Sequence, residues 1–144
     1  MSVGLRDWRP FLRALAEEID AVAGPTGRDA LLRRTGLRMA ALCPLPASTS
    51  TEALAIEMNE VLTGAGWGSV AIEFSEAERC LYLTHRGMPR IGGGGTPPGT
   101  WLGSVLEGLY EGWLGQQPGA DTTLNTQRAS SDSKETVVLR YGRS

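Results

Sequence analysis

Residues 97–120 read PPGTWLGSVLEGLYEGWLGQQPGA, and this stretch decides how the rest of the chain is organised. It predicts one helix that begins after the Pro-Pro-Gly break with Thr100 as its N-cap and ends at Pro118-Gly119. Apolar residues recur along it at three- and four-residue spacings, which gives a wide apolar stripe. They are Trp101, Leu102, Val105, Leu106, Leu109, Trp113 and Leu114. We therefore expect this helix to form the core of the domain, with both tryptophans buried.

The same stretch also contains glycines away from the apolar stripe, among them Gly103, Gly108 and Gly112. A glycine inside a helix costs about 0.5–1 kcal/mol relative to alanine. Several in one helix predict a second face at which another backbone comes close. That backbone can belong to the same chain or to another subunit, and Gly108 and Gly112, one turn apart, are our candidates for an oligomer interface.

Length and composition limit the class of protein. The chain has 144 residues, of which 41% are hydrophobic and 21% charged, and this suits one globular domain. A net charge of -2 argues against a nucleic-acid binder, which would need a basic patch. We find neither a continuous apolar signal segment nor the roughly 20 apolar residues of a membrane span. We expect a cytoplasmic protein, with the periplasm as the alternative, in which Cys43 and Cys80 are two buried thiols and not a disulfide.

The remaining elements are predicted outward from the central helix. Residues 1–7 form an N-terminal arm, and residues 8–144 form a single domain. The domain has helices at 8–23, 28–42 and from a Thr49–Glu52 capping box to 63, strands at 70–75 and 80–85, the central helix, and strands at 122–127 and 137–141. The predicted fold class is therefore α+β, with four main helices packed on a small antiparallel sheet of two hairpins.

The usual signs of catalysis are missing from this pattern. His85 is the one histidine and lies at a strand end, so a surface or hydrogen-bonded structural role is favoured over a catalytic or metal-binding one. The glycine run at 92–95 lacks the Lys-Ser/Thr that follows a phosphate-binding loop. We predict no catalytic residue, no metal and no cofactor, and hence no enzyme.

Two carboxylate pairs bear on the same question, because glycosidases use two carboxyl groups close together. Glu57 and Glu60 have helical spacing, as do Glu107 and Glu111. Both pairs lie on predicted polar faces, with no apolar neighbour to raise the pKa of one member. We interpret all four side chains as solvated charge.

Four segments resemble the cellulose synthase operon protein D family, the D subunit of bacterial cellulose synthase. They are FLRALAEEIDAVAG at 11–24, LLRRTGLRMA at 31–40, EMNEVLTGAGWGSV at 57–70 and GTWLGSVLEGLYEGWLGQQPGA at 99–120. The resemblance covers roughly residues 7–120, and the segment from Asp121 to Glu135 resembles the family poorly.

The resemblance implies a non-catalytic accessory subunit of bacterial cellulose biosynthesis. It implies a ring-like homo-octamer built from dimers, which organises synthase complexes or guides nascent β-1,4-glucan chains past its N-terminal arms for export and crystallisation. On that basis Leu5, Arg6 and Trp8 are our candidates for contacting glucan. The alternative is an intracellular scaffold that binds other cellulose-operon proteins without touching glucan. The expected partners are copies of itself, the synthase complex and, where the ring is a conduit, glucan chains, without nucleic acid or a membrane span.

Overall fold

Three helices and one antiparallel sheet make up the part of the chain that the structure, a computed structural model, describes: residues 9–87, 102–121, 123–129 and 136–143. The helices are α1 (Arg9–Leu42), α2 (Thr51–Ala65) and α3 (Leu102–Gly115), and the strands are β1 (Ser69–Ser75), β2 (Cys80–Arg86), β3 (Asn125–Ala129) and β4 (Thr136–Gly142). The α+β class is confirmed. The central helix, α3, and the hairpin of β1 and β2 lie where the sequence predicts them.

The prediction of four helices differs slightly from the structure, because the first two meet at one non-helical residue and form a single kinked element. Residues 9–42 are helical except at Gly24, whose φ of 75° and ψ of 169° lie outside the helical region. Glycine adopts a positive φ at little cost. Pro25 follows as the first residue of the next helical run, where its missing N–H is not needed. The Gly-Pro pair therefore ends one helical run at Gly24 and begins the next at Pro25, earlier than the predicted start at residue 28.

The start of α2 also differs from the prediction by one residue. The N-cap is Ser50, whose side chain accepts a hydrogen bond of 3.0 Å from the Ala53 N–H. The expected capping box at Thr49 and Glu52 is therefore wrong. Serine and threonine are both good N-caps, so sequence preference alone does not choose between neighbouring hydroxyl residues.

The four strands form one sheet in the order β1-β2-β4-β3, with every neighbour antiparallel. Pairing of β2 with β4 joins the two predicted hairpins, and β1 and β3 are the edges. Val70, Leu83 and Leu139 are buried on the side that packs against α2 and α3. Phe74 shares that side by register but is 60% exposed, so the inward alternation of β1 does not extend to its end.

The core lies between the sheet and the helices. Its buried members are Ala40, Leu54, Met58, Leu62, Val70, Leu83, Leu106, Leu109, Tyr110, Trp113, Leu114, Leu139 and Tyr141. The expected burial of Trp113 is confirmed, since its exposed fraction is 0%. Trp101 lies outside the described residues.

The glycines of α3 bring its backbone against α1 of the same chain. A Cβ added at Gly108 would overlap the carbonyl oxygen of Arg33, and one added at Gly112 would lie 2.6 Å from the Cβ of Ala40. Gly36 of α1 faces the Val105 carbonyl in the same way. The close backbone approach expected from the glycines is thus made within the chain.

Candidate functional site

The predicted glucan contacts are not part of the described structure, since Leu5, Arg6 and Trp8 precede residue 9. Their role stays a prediction. Gly108 and Gly112 are described, and their contacts with α1 already account for both glycines. Their part in an oligomer interface also stays a prediction.

A cluster of paired charges joins α1, α3 and β3. Arg33 of α1 binds both carboxylates of α3, with Nη1 3.0 Å from Glu107 Oε2 and Nη2 2.6 Å from Glu111 Oε1. Arg128 of β3 lies 3.4 Å from the other oxygen of Glu107. Only 17% and 23% of the Glu107 and Glu111 side chains are exposed. The interpretation of this pair as solvated charge is therefore wrong.

The same cluster forms hydrogen bonds with backbone groups of β3 at one edge of the sheet. Glu111 Oε1 accepts the N–H of Thr126 at 2.9 Å, and Arg33 Nη2 donates to the Thr126 carbonyl at 3.1 Å. Both groups point outward from the edge strand β3 and would otherwise be unpaired. The two carboxylates thus neutralise arginines and pair backbone, which is a structural arrangement and not the acid–base arrangement of a glycosidase.

His85 is buried in the core, with an exposed fraction of 0%. Its Nε2 lies 2.6 Å from the carbonyl oxygen of Trp67, which can only accept, so Nε2 carries the proton and donates it. Nδ1 then accepts from the hydroxyl of Tyr110, its other partner. Burial lowers the pKa of His85 and raises the pKa of Tyr110. Of the two roles left open by the sequence, the structure confirms the hydrogen-bonded one.

An open cleft of about 430 Å³ lies between the start of α2 and the segment that connects α3 to β3. Most of its polar groups already have partners in the chain. The Gln117 amide accepts from the Ser48 N–H at 2.9 Å and donates to the Pro46 carbonyl at 3.3 Å, and Ser50 caps α2. The Gln117 amide and the Ser50 hydroxyl are therefore already used by contacts within the chain.

The described ranges contain neither a metal-binding cluster nor a membrane-spanning helix. These ranges contain no group of three or more His, Cys, Asp or Glu side chains placed to hold a metal ion. No helix among them is both long and apolar enough to cross a membrane. Cys43 and Cys80 are free thiols, as expected, but Cys43 is exposed, so the expectation that both are buried is wrong. Cys43 follows the last turn of α1, beyond the packed part of that helix.

These features define a small α+β domain, with helices packed on one side of an antiparallel sheet and its buried polar groups used for structure. Comparison with known proteins gives the family. The sequence model of the cellulose synthase D subunit matches residues 3–142. The chain is 41% identical over 139 residues to cellulose synthase operon protein D of Komagataeibacter sucrofermentans, covering 92% of this chain and 89% of that protein.

A second relative gives the same result. Cellulose synthase operon protein D of Komagataeibacter xylinus is 42% identical over 114 residues, which is 79% of this chain and 73% of that protein. The chain belongs to the family of cellulose synthase D subunits. The resemblance seen in the sequence is thereby confirmed, and the family match extends beyond Ala120 into β4.

Proposed function

We propose that the protein is a non-catalytic accessory subunit of bacterial cellulose biosynthesis. It assembles into a ring-like homo-octamer built from dimers, and the ring organises synthase complexes or guides nascent glucan chains for export and crystallisation. The observation that carries this proposal is the family match over residues 3–142, which spans every described element.

The chemistry of the described residues supports the non-catalytic part of the proposal. Glu107 and Glu111 are held by arginines, and His85 has a partner at each ring nitrogen. A general acid or base needs access to its substrate, within hydrogen-bond reach of the reacting group. These groups are occupied by structural contacts instead.

The first segment of α1 supports assembly. Phe11, Leu15 and Val22 follow one another at helical spacing and are 57%, 45% and 85% exposed. Exposed apolar surface that recurs along one helix is typical of an interaction surface. In the proposed ring this surface is buried between copies of the chain.

The glucan contact is assigned to the arm. Leu5, Arg6 and Trp8 combine apolar and aromatic surface with a hydrogen-bond donor, which suits the apolar faces and hydroxyl edges of a sugar chain. We place the protein in the cytoplasm, with the periplasm as the alternative. The second candidate function is a scaffold that binds other cellulose-operon proteins, and the acidic and apolar surface beside β1, described below, favours it.

Complementation of a cellulose-producing strain that lacks its D subunit tests the proposal. The wild-type chain is expected to restore cellulose yield and crystallinity. A variant without residues 2–6 is expected to form the same oligomer but to restore less crystalline cellulose. The matched control, Glu17→Gln on an exposed face of α1 away from Phe11, Leu15 and Val22, should behave as wild type.

Three outcomes separate the alternatives. If the wild-type chain fails to restore cellulose, the accessory role is wrong. If deletion of residues 2–6 changes neither the oligomer nor the cellulose, the glucan contact at the arm is wrong and the scaffold is favoured. If the deletion dissociates the oligomer, the arm is an assembly element. Separation of cytoplasmic and periplasmic fractions of a tagged chain tests the location.

A further inference from the structure

The edge strand β1 has backbone groups that point away from the sheet. Asn59 of α2 pairs with two of them: its Oδ1 accepts the Val70 N–H at 2.7 Å, and its Nδ2 donates to the Val70 carbonyl at 3.0 Å. Val70 is thus a non-hydrogen-bonded partner of His85 across the ladder. Such pairs alternate in antiparallel strands, so Ile72 and Phe74 also direct their N–H and C=O groups outward.

The two edges of the sheet differ in whether their outward backbone groups have hydrogen-bond partners. At β3, the outward groups of Thr126 are paired with Glu111 and Arg33. At β1, the outward groups of Ile72 and Phe74 have no partner among the residues that the structure describes. A row of free donors and acceptors at strand spacing is a template for another extended chain, which can pair with all of them.

Exposed apolar side chains accompany this open stretch. Phe74 is 60% exposed and Ile56 of α2 is 61% exposed. Ile56 precedes Asn59 by about one helical turn, and Phe74 follows Val70 along β1. Since α2 turns directly into β1, both side chains lie on the same side of the Asn59–Val70 contact.

Exposed glutamates lie close in sequence to both apolar residues. Glu52 precedes Ile56 by four residues on the same face of α2, Glu73 and Glu76 lie within two residues of Phe74, and Glu60 lies beyond the Asn59–Val70 contact. Within the described ranges, none of the four forms an ion pair. The elements that carry the open edge therefore expose apolar side chains and negative charge, which complements a basic chain.

We propose that the β1 edge at Ile72 and Phe74, with Ile56 and these glutamates, binds an extended segment of a partner polypeptide. The segment is basic and has apolar residues at alternate positions. Backbone pairing supplies affinity, while the apolar side chains and the charge select the segment. Its biological meaning rests on the accessory role proposed above, but binding to the purified protein tests the surface independently of that role.

The probe is a fluorescently labelled peptide of alternating valine and lysine, seven residues long, and the matched control peptide has glutamate in place of lysine. We expect the lysine peptide to bind at least tenfold more tightly in an anisotropy titration at low salt. Its addition should shift the backbone amide resonances of Ile72 and Phe74 more than those of β3. Equal binding of the two peptides, or amide shifts confined to other elements, would overturn the proposal.

Two variants separate backbone pairing from charge. Ile72→Pro removes an N–H that faces away from β2, so it breaks no hydrogen bond between the two strands. Proline is tolerated at such edge positions. Glu52→Lys with Glu76→Lys reverses charge beside the open edge and leaves the backbone unchanged. Each is expected to weaken lysine-peptide binding at least tenfold, and the double variant should also bind the glutamate peptide more tightly.

The control is Glu17→Lys on α1, an exposed residue away from the face of Phe11 and Val22, on a helix that makes no contact with β1 within the described ranges, and it should bind as wild type does. If circular dichroism shows that Ile72→Pro is unfolded, the double glutamate variant decides. Unchanged lysine-peptide binding in the double variant overturns the proposal. The proposal is also overturned if Ile72→Pro halves the mass of the protein in solution, because the edge would then pair copies of this chain.

Discussion

At the scale of single residues, Trp113 joins the core to the end of α1. Its ring is fully buried against Tyr110, with ring centroids 5.9 Å apart in an edge-to-face arrangement. Its Nε1 donates to the Cys43 carbonyl at 2.8 Å. One side chain therefore contributes both apolar burial and a hydrogen bond between distant parts of the chain.

Trp113→Ala is expected to lower the free energy of unfolding by about 3–5 kcal/mol, because it leaves a cavity and an unpaired carbonyl. Chemical denaturation followed by circular dichroism measures the change. Leu42→Ala is the control, since Leu42 is 74% exposed, and it should change the free energy by less than about 0.5 kcal/mol. Similar midpoints for the two variants would show that the described packing of Trp113 is wrong.

The side chain of His85 makes the free energy of unfolding depend on pH. Because burial lowers the pKa of the folded-state imidazole below its usual 6.5, the unfolded chain binds more protons than the folded chain as the pH falls through that value. The contribution of His85 is therefore complete above pH 6.5 and is lost progressively below it. It is the one histidine in the chain, and histidine is the side chain whose usual pKa lies in this range.

We expect the free energy of unfolding to fall from pH 7.5 to pH 5.5, with a slope of at most about 1.4 kcal/mol per pH unit from this group. Denaturant titrations at several pH values measure the slope. His85→Gln keeps a polar side chain but cannot be protonated in this range, so it should flatten the profile while lowering stability at pH 7.5. A wild-type profile that does not fall would contradict the buried neutral imidazole.

At the scale of elements, the periodic parts of the sequence were the easiest to predict. The helix around Leu106 and the hairpin of β1 and β2 follow from spacings of 3.6 and 2 residues, which depend on neighbours along the chain. The break at Gly24 was also placed correctly. The length of the break was not, because the number of residues between two helices at a Gly-Pro pair depends on the backbone conformation of those residues.

The charge cluster could not be predicted, because its partners are far apart along the chain. Arg33 and Glu107 are separated by 74 residues, and the separate patterns of α1 and α3 do not show that these residues meet. The glycines gave an indirect signal, since they indicated that some backbone packs against α3. Only the fold shows that this backbone is α1, whose Arg33 then reaches both carboxylates.

A glycine substitution tests the packing of α1 against α3. Gly108→Ala places a methyl group against the Arg33 carbonyl, which is rigid backbone, so we expect a loss of about 1–3 kcal/mol. Gly115→Ala at the end of the same helix meets nothing within 4 Å and should be neutral or stabilising by up to about 1 kcal/mol. Both are measured by chemical denaturation. If Gly108→Ala dissociated the oligomer without lowering the stability of the single chain, Gly108 would belong to an interface between copies.

At the scale of the whole molecule, α1 has one apolar face that packs within the chain and another that is exposed and available for assembly. The face of α1 that contacts α3 is buried within the chain, whereas Phe11, Leu15 and Val22 are exposed on its first segment. Leu12, which lies between Phe11 and Leu15 in the sequence, packs against Leu32 and Val105. The first segment is thus attached to the domain on one side and exposes apolar residues on another.

The exposed face of α1 is expected to set the size of the assembly. Light scattering at micromolar concentration is expected to give a mass above that of a dimer of the 15.4 kDa chain, because burial of these side chains between copies removes apolar surface from water. Val22→Asp should lower that mass, since it would place a charge in a desolvated interface, while unfolding of the single chain should change little because Val22 is 85% exposed. Ala21→Asp is the matched control: it adds the same charge one residue away without removing a large apolar side chain, and it should keep the wild-type mass. A stable wild-type monomer would contradict the proposed ring, and a Val22→Asp variant of unchanged mass would show that the copies meet elsewhere.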